Sequence, residues 1–109
     1  MKKTDAKNPT EALWELVRRE DWSVDKITRL IREGADINAP DGVLTTPLMY
    51  ATEYNSNPEI LQNLLENGAD AAITNYDGMR ALDYAERNEA LKGTDAYNLL
   101  REKTLQNKK

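Results

Sequence analysis

Carboxylates are the side chains that could do acid–base chemistry in this 109-residue chain, because it has no histidine and no cysteine. Two pairs lie close in sequence: Glu20 beside Asp21, and Asp83 three residues before Glu86. General acid–base catalysis needs a carboxyl group tuned by burial or by a neighbouring charge. Helical periodicity places both pairs on water-facing surfaces, which lack that burial. We therefore expect no enzyme, no catalytic residue, no metal site and no cofactor.

Charge is distributed unevenly along the chain, whose net charge is −4. Residues 33–79 carry eight carboxylates and no lysine or arginine, whereas cations slightly outnumber anions in residues 1–32 and 80–109. Nucleic acids and anionic membranes bind clustered cations, so we expect neither as a partner. A partner protein with a basic surface would instead be attracted to the acidic middle. The alternative is an ordinary solvated face, on which Asp36 and Asp70 satisfy backbone donors within turns.

A repeated motif organises the sequence. Gly-Ala-Asp occurs at 34–36 and again at 68–70, and at the same offset of 34 residues Tyr50-Ala51 matches Tyr84-Ala85. Periods of this length are typical of stacked helix–turn–helix repeats, each too small to bury its apolar face alone. We expect one domain over 8–105 with flexible tails at 1–7 and 106–109. Its three repeats are predicted at about 8–40, 41–74 and 75–105.

Local signals mark where the helices of each repeat begin and end. Four predicted helix starts carry a capping side chain, and proline follows the cap in three of them. These starts are Asn8-Pro9, Ser23, Thr46-Pro47 and Asn57-Pro58. Trp22 and Ile27 lie at the two hydrophobic-staple positions around Ser23. Gly34 and Gly68 follow apolar stripes, and glycine readily adopts the left-handed conformation that ends a helix.

Several of these segments together resemble the ankyrin repeat. The segments are TPLMYA at 46–51, LLENGAD at 64–70, DG at 77–78 and ALDYA at 81–85. The resemblance implies an all-α solenoid of three helix–turn–helix repeats with projecting β-hairpin-like loops. The usual histidine of the family is replaced by Met49 and Asp83, and its hairpin glycine by Leu44 in the middle repeat. Because Gly42 lies two residues before that position, whereas Gly78 keeps it in the last repeat, we expect a different turn at this tip.

The resemblance further implies a protein-binding module, whose partner contacts the hairpin tips and the exposed ends of the inner helices. Carried over position by position, it selects Gly42, Val43, Thr45, Glu53, Tyr54, Tyr76, Asp77, Met79, Arg87 and Asn88. Exposed tyrosine, methionine and valine beside carboxylates would form a plausible contact surface. The alternative is that Tyr54 and Tyr76 only cover neighbouring helices.

The apolar runs of the chain are only a few residues long, so we expect it in the cytoplasm. Three roles are compatible with such a module. The first is a monomeric inhibitor or immunity-type protein that occludes the basic site of another protein. The second is a scaffold segment of a longer chain. A third, structural role is end-to-end self-association through the open faces of the terminal repeats.

Overall fold

A computed structural model describes residues 8–18, 23–54 and 57–106. These residues form six α-helices and no strand, which confirms the predicted all-α fold. The helices are α1 (Pro9–Arg18), α2 (Val24–Arg32), α3 (Pro47–Tyr54), α4 (Pro58–Glu66), α5 (Ala81–Ala85) and α6 (Asp95–Gln106). Gln106, which was predicted to lie in the C-terminal tail, is the last residue of α6. Trp22, the predicted staple residue, and the carboxylates Glu20 and Asp21 lie outside the described residues.

The helices are arranged in two layers. An inner layer contains α1, α3 and α5, an outer layer contains α2, α4 and α6, and each successive pair forms one repeat. Leu61, Leu64 and Leu65 of α4 are buried between the layers, as their i, i+3, i+4 spacing predicts. Ile27 is the fully buried member of the corresponding stripe in α2, whose Leu30 is half-buried against the same core. The repeats therefore share one continuous apolar core.

The predicted glycine helix ends are present. Gly68 has a φ of 97°, and its N–H donates to the Leu65 carbonyl over 3.2 Å. The following N–H, from Ala69, donates to the Leu64 carbonyl over 3.0 Å, which satisfies a second carbonyl of the last turn of α4. Gly34 has a φ of 111° and ends α2 in the same way. Both glycines therefore occupy a conformation that most other residues adopt only at an energetic cost.

The predicted cap side chains are also in place at the helix starts. In each case a side-chain oxygen accepts a backbone N–H of the first turn, which has no partner within the helix. The pairs are Asn8 with Glu11 (2.8 Å), Ser23 with Lys26 (3.3 Å), Thr46 with Met49 (3.3 Å) and Asn57 with Glu59 (3.0 Å). Asp83, at a position where the family resemblance predicts histidine, accepts the Arg80 N–H over 2.8 Å at the start of α5.

Hydrogen bonds also link neighbouring repeats. The side chain of Asn38, in the turn after α2, donates to the Gly68 carbonyl over 3.2 Å and accepts the Asp70 N–H over 2.7 Å. On the inner layer, the Asn88 amide donates to the Thr52 carbonyl at the end of α3 over 3.0 Å. These bonds fix the relative position of adjacent turns and inner helices, and therefore of the loops that project from them.

Replacing Asn38 with alanine removes both bonds of the first link. We expect Asn38→Ala to lower the free energy of unfolding by about 1 kcal/mol, because the bonds lie at a partly solvated position. Urea unfolding followed by circular dichroism measures the change. Asn98→Ala, an exposed substitution on α6, is the matched control and should change stability by less than about 0.5 kcal/mol. Equal losses in the two variants would show that the Asn38 bonds contribute nothing.

Candidate functional site

The loop before α3 is a tight turn organised by one carboxylate. The Asp41 N–H donates to the Thr45 carbonyl over 3.1 Å, and the Leu44 N–H donates back to the Asp41 carbonyl over 2.9 Å. One oxygen of the Asp41 side chain accepts the N–H groups of Val43 (3.0 Å) and Thr45 (3.1 Å). Its other oxygen accepts the hydroxyl of Tyr50, one turn into α3. The carboxylate thus closes the turn and ties it to the inner helix.

The loop before α5 repeats this arrangement with an amide. The Asn75 N–H donates to the Met79 carbonyl over 3.0 Å, and the Gly78 N–H donates to the Asn75 carbonyl over 2.9 Å. The Asn75 side-chain oxygen accepts the N–H groups of Asp77 (2.9 Å) and Met79 (3.1 Å). Its amide nitrogen donates to the Tyr84 hydroxyl over 2.7 Å. Each residue in this set of hydrogen bonds lies 34 positions after its counterpart in the preceding loop.

The expectation that the tip of the middle repeat has a different turn is therefore wrong. Leu44 has a φ of 62° and Gly78 a φ of 74°, so both lie in the left-handed region. Outside glycine this region costs about 1–2 kcal/mol per residue. The bonds from the Asp41 side chain hold the turn closed on either side of Leu44, and they outweigh the local preference of leucine. The hydrogen bonds of the turn are therefore equivalent in the two repeats, although one turn has Leu44 where the other has Gly78.

Exposed apolar side chains are concentrated on these two tips and on the end of α3. Val43 is 56%, Leu44 40% and Tyr76 75% exposed. Tyr54 is 48% exposed and stacks on Tyr50, with ring centroids 6.1 Å apart and an interplanar angle of 22°. Since Tyr50 is bonded to Asp41, this stack joins the end of α3 to the first tip. We refer to Val43, Leu44, Tyr54 and Tyr76, with the carboxylates Glu53 and Asp77, as the hairpin surface.

Most residues predicted to bind a partner are accessible, and two, Thr45 and Asn88, are largely used within the fold. The exposed ones are Gly42, Val43, Glu53, Tyr54, Tyr76, Asp77 and Arg87, and Met79 is half-buried. Thr45 is only 8% exposed, so it does not form part of the accessible surface. Asn88 is half-buried, and its side chain bonds to the Thr52 carbonyl and accepts the Ala90 N–H over 3.1 Å.

Leu44 is an exposed residue of this surface that sequence reasoning did not select. The signal was its alignment with Gly78, which places an apolar side chain at the apex of a projecting turn. With three quarters of its surface exposed, Tyr76 does not act merely as a cover for a neighbouring helix. Half of the Tyr54 side chain is likewise accessible, although its ring also stacks on Tyr50.

The electrostatic character of the hairpin surface is acidic. Glu53 and Asp77 are both exposed, and the sequence has no lysine or arginine between residues 33 and 79. The cations resume in the last repeat with the half-buried Arg80 and the exposed Arg87. Asp36 and Asp70, by contrast, accept the N–H groups two residues ahead, as expected for turn residues.

The described residues contain no cluster of three or more histidine, cysteine, aspartate or glutamate side chains that could hold a metal ion. In the same part of the chain, none of the helices has both the length and the apolarity needed to cross a membrane.

An open groove lies between α1 and α2. Ala12, Leu16 and Leu30 form its apolar part, and four charged residues complete its lining: Glu15, Lys26, Arg29 and Glu33.

Comparison with known proteins agrees with the geometry. A family model for ankyrin repeats, in three copies, matches residues 13–108. An ankyrin repeat domain-containing protein of Stachybotrys chartarum is 36% identical over 78 residues, which are 72% of this chain and 4% of that protein. An ankyrin repeat protein of Rickettsia bellii is 45% identical over 53 residues, or 49% of this chain and 31% of that protein.

A fowlpox virus ankyrin repeat protein is 40% identical over 56 residues, which are 51% of this chain and 8% of that protein. The chain thus spans between 4% and 31% of the length of these relatives. Ankyrin repeats are generally non-enzymatic protein–protein interaction modules. With three consecutive helix pairs, glycine helix ends and two equivalent projecting turns, the chain belongs to the ankyrin-repeat family.

Proposed function

We propose that the chain is a non-enzymatic module that acts in the cytoplasm as a monomer and binds one partner protein through the hairpin surface. The observation that carries this proposal is that four of the five large apolar side chains exposed in the described residues lie on the two tips and the end of α3. Scattered apolar residues are normal on protein surfaces, but tyrosines and aliphatic side chains gathered on one side are typical of interfaces.

The expected partner presents a basic surface. The exposed carboxylates Glu53 and Asp77 adjoin the apolar residues, and no cation from residues 33–79 offsets them. Complementary charge of this kind accelerates association and discriminates against acidic proteins. An inhibitor or immunity-type role, in which the module occludes a basic site, follows from this chemistry. Arg87, an exposed cation just after the end of α5, would favour an acidic group of the partner near that helix end.

The partner can be isolated by affinity pull-down from the native host, identified by mass spectrometry and titrated by calorimetry. We expect Tyr76→Ser to weaken binding about tenfold, because it removes the most exposed aromatic side chain of the surface. Raising the salt concentration should also weaken binding, since exposed charges are screened. Leu105→Ser, an equally drastic change at an exposed residue on α6, is the matched control and should leave the affinity unchanged.

Equal effects of Tyr76→Ser and Leu105→Ser, or an affinity indifferent to salt, would exclude the hairpin surface as the binding site. The alternative role, end-to-end self-association, is supported by the open groove between α1 and α2 in the first repeat. Sedimentation velocity distinguishes the two. A single monomeric species over a wide concentration range supports the binding module, whereas a growing series of oligomers supports assembly.

A further inference from the structure

The backbone of the first tip does not require a leucine at position 44. The turn around Gly78 has the same hydrogen bonds and nearly the same φ, and there a residue without a side chain completes it. Glycine adopts this conformation freely, whereas leucine adopts it with strain. Backbone strain that the surrounding structure tolerates at an exposed position points to a role outside the fold.

The side chain of Leu44 is only partly buried by the rest of the chain. It is 40% exposed and stands beside Val43, which is 56% exposed, so two consecutive aliphatic side chains project from one tight turn. The same turn is fixed by the bonds of Asp41 to Val43, Thr45 and Tyr50. The tip therefore presents apolar surface on a rigid support, and a partner would lose little conformational entropy of the loop on binding.

The charges around the tip indicate which apolar group would fit. The second tip carries the exposed carboxylate of Asp77, the last turn of α3 carries that of Glu53, and the intervening sequence has no cation. An acidic or neutral apolar segment would leave these carboxylates unmatched. A segment that places an apolar side chain between lysines or arginines would match both the aliphatic tip and its charged surroundings.

We infer that Val43 and Leu44 form the specificity-determining contact for a basic segment of the partner, in which an apolar side chain lies between cations. The inference rests on the proposed function and deepens it, because it states what the partner presents to this tip. Leu44 then contributes to recognition rather than to folding stability, so its replacement by glycine should weaken binding without lowering stability.

The probe for this contact is a fluorescently labelled octapeptide of alternating lysine and leucine, with binding followed by anisotropy. Two matched peptides alternate lysine with serine, or glutamate with leucine. We expect the lysine–leucine peptide to bind at least about fivefold more tightly than the lysine–serine peptide, and the glutamate–leucine peptide not to bind. Leu44→Gly should weaken binding of the lysine–leucine peptide about fivefold, since it removes the apolar contact. Leu105→Ser should leave that binding unchanged.

Urea unfolding of the same variants separates recognition from folding. We expect Leu44→Gly to keep or raise the urea midpoint, and the reciprocal Gly78→Leu to lower it. A fall in midpoint for Leu44→Gly as large as that for Gly78→Leu would overturn the inference, because Leu44 would then be a structural residue. Unchanged peptide binding by Leu44→Gly would overturn it too. If Tyr76→Ser weakens binding of the natural partner and Leu44→Gly does not, only this inference fails. If neither substitution weakens that binding, the proposed function fails as well.

Discussion

Leu64→Ala is expected to lower the free energy of unfolding by about 3–5 kcal/mol, the upper part of the range for leucine truncation in a tightly packed core. Leu64 has no exposed surface and lies in α4, which packs against α2 on one side and α6 on the other. The cavity would therefore weaken both junctions of the middle repeat. Since small domains are stable by only about 5–15 kcal/mol, the variant should be close to unfolding.

The measurement is equilibrium urea unfolding followed by circular dichroism, with the midpoint and the m-value fitted together. Leu105→Ala removes the same atoms from an exposed position on α6, and it should change stability by less than about 0.5 kcal/mol. A Leu64→Ala midpoint close to that of Leu105→Ala, at an unchanged m-value, would mean that α4 is not the shared centre of the core.

Asp41→Ala is expected to lower the free energy of unfolding by about 2–3 kcal/mol and to loosen the first tip. The substitution leaves the N–H groups of Val43 and Thr45 and the hydroxyl of Tyr50 without their common acceptor. Thr45 and Tyr50 are buried, and polar groups that lose a partner away from water cost about 1–3 kcal/mol each at most. Amide hydrogen exchange at Val43 and Thr45 should accelerate, which reports the opening of this turn directly.

The equivalent turn of the last repeat supplies the matched control for that experiment. Asn75 occupies the equivalent place, where its oxygen accepts two N–H groups and its amide donates to the Tyr84 hydroxyl. In Asp41→Asn the side-chain oxygen can still accept both N–H groups, and the amide can donate to the Tyr50 hydroxyl as that of Asn75 does to Tyr84. This substitution should therefore cost less than about 1 kcal/mol. If asparagine proved as damaging as alanine, the charge of Asp41 would be the essential property, and the equivalence of the two turns would not extend to their energetics.

The elements that sequence analysis located correctly are those determined by local chemistry. Ser23 and Asn57 cap helices because their side chains reach a backbone N–H two or three residues ahead. Gly34 and Gly68 end helices because of their own conformational freedom. Such interactions depend on a few consecutive residues, so their spacing is visible before the chain is folded. The offset of 34 residues then arranges the same elements into repeats.

The features that sequence analysis missed depend on contacts between segments. The conformation of Leu44 is imposed by Asp41, and the equivalence of Asp41 with Asn75 becomes clear only when their hydrogen bonds are compared. Thr45 was assigned to the surface by family alignment, but it is buried beneath the turn it helps to close. Asn88 was assigned in the same way, but its amide joins α3 to the following repeat. Burial and pairing of this kind cannot be deduced from residue type.

The stacking of the repeats has a consequence for kinetics. The two tips belong to different repeats, which the Asn88 bond and the packing of α3 against α5 hold together. A ligand that touches Leu44 and Tyr76 simultaneously would bridge this junction and oppose its transient separation. Its residence time would then depend on how often the junction fluctuates open, so a weakened junction would shorten the lifetime of the complex even where every contacting side chain is intact.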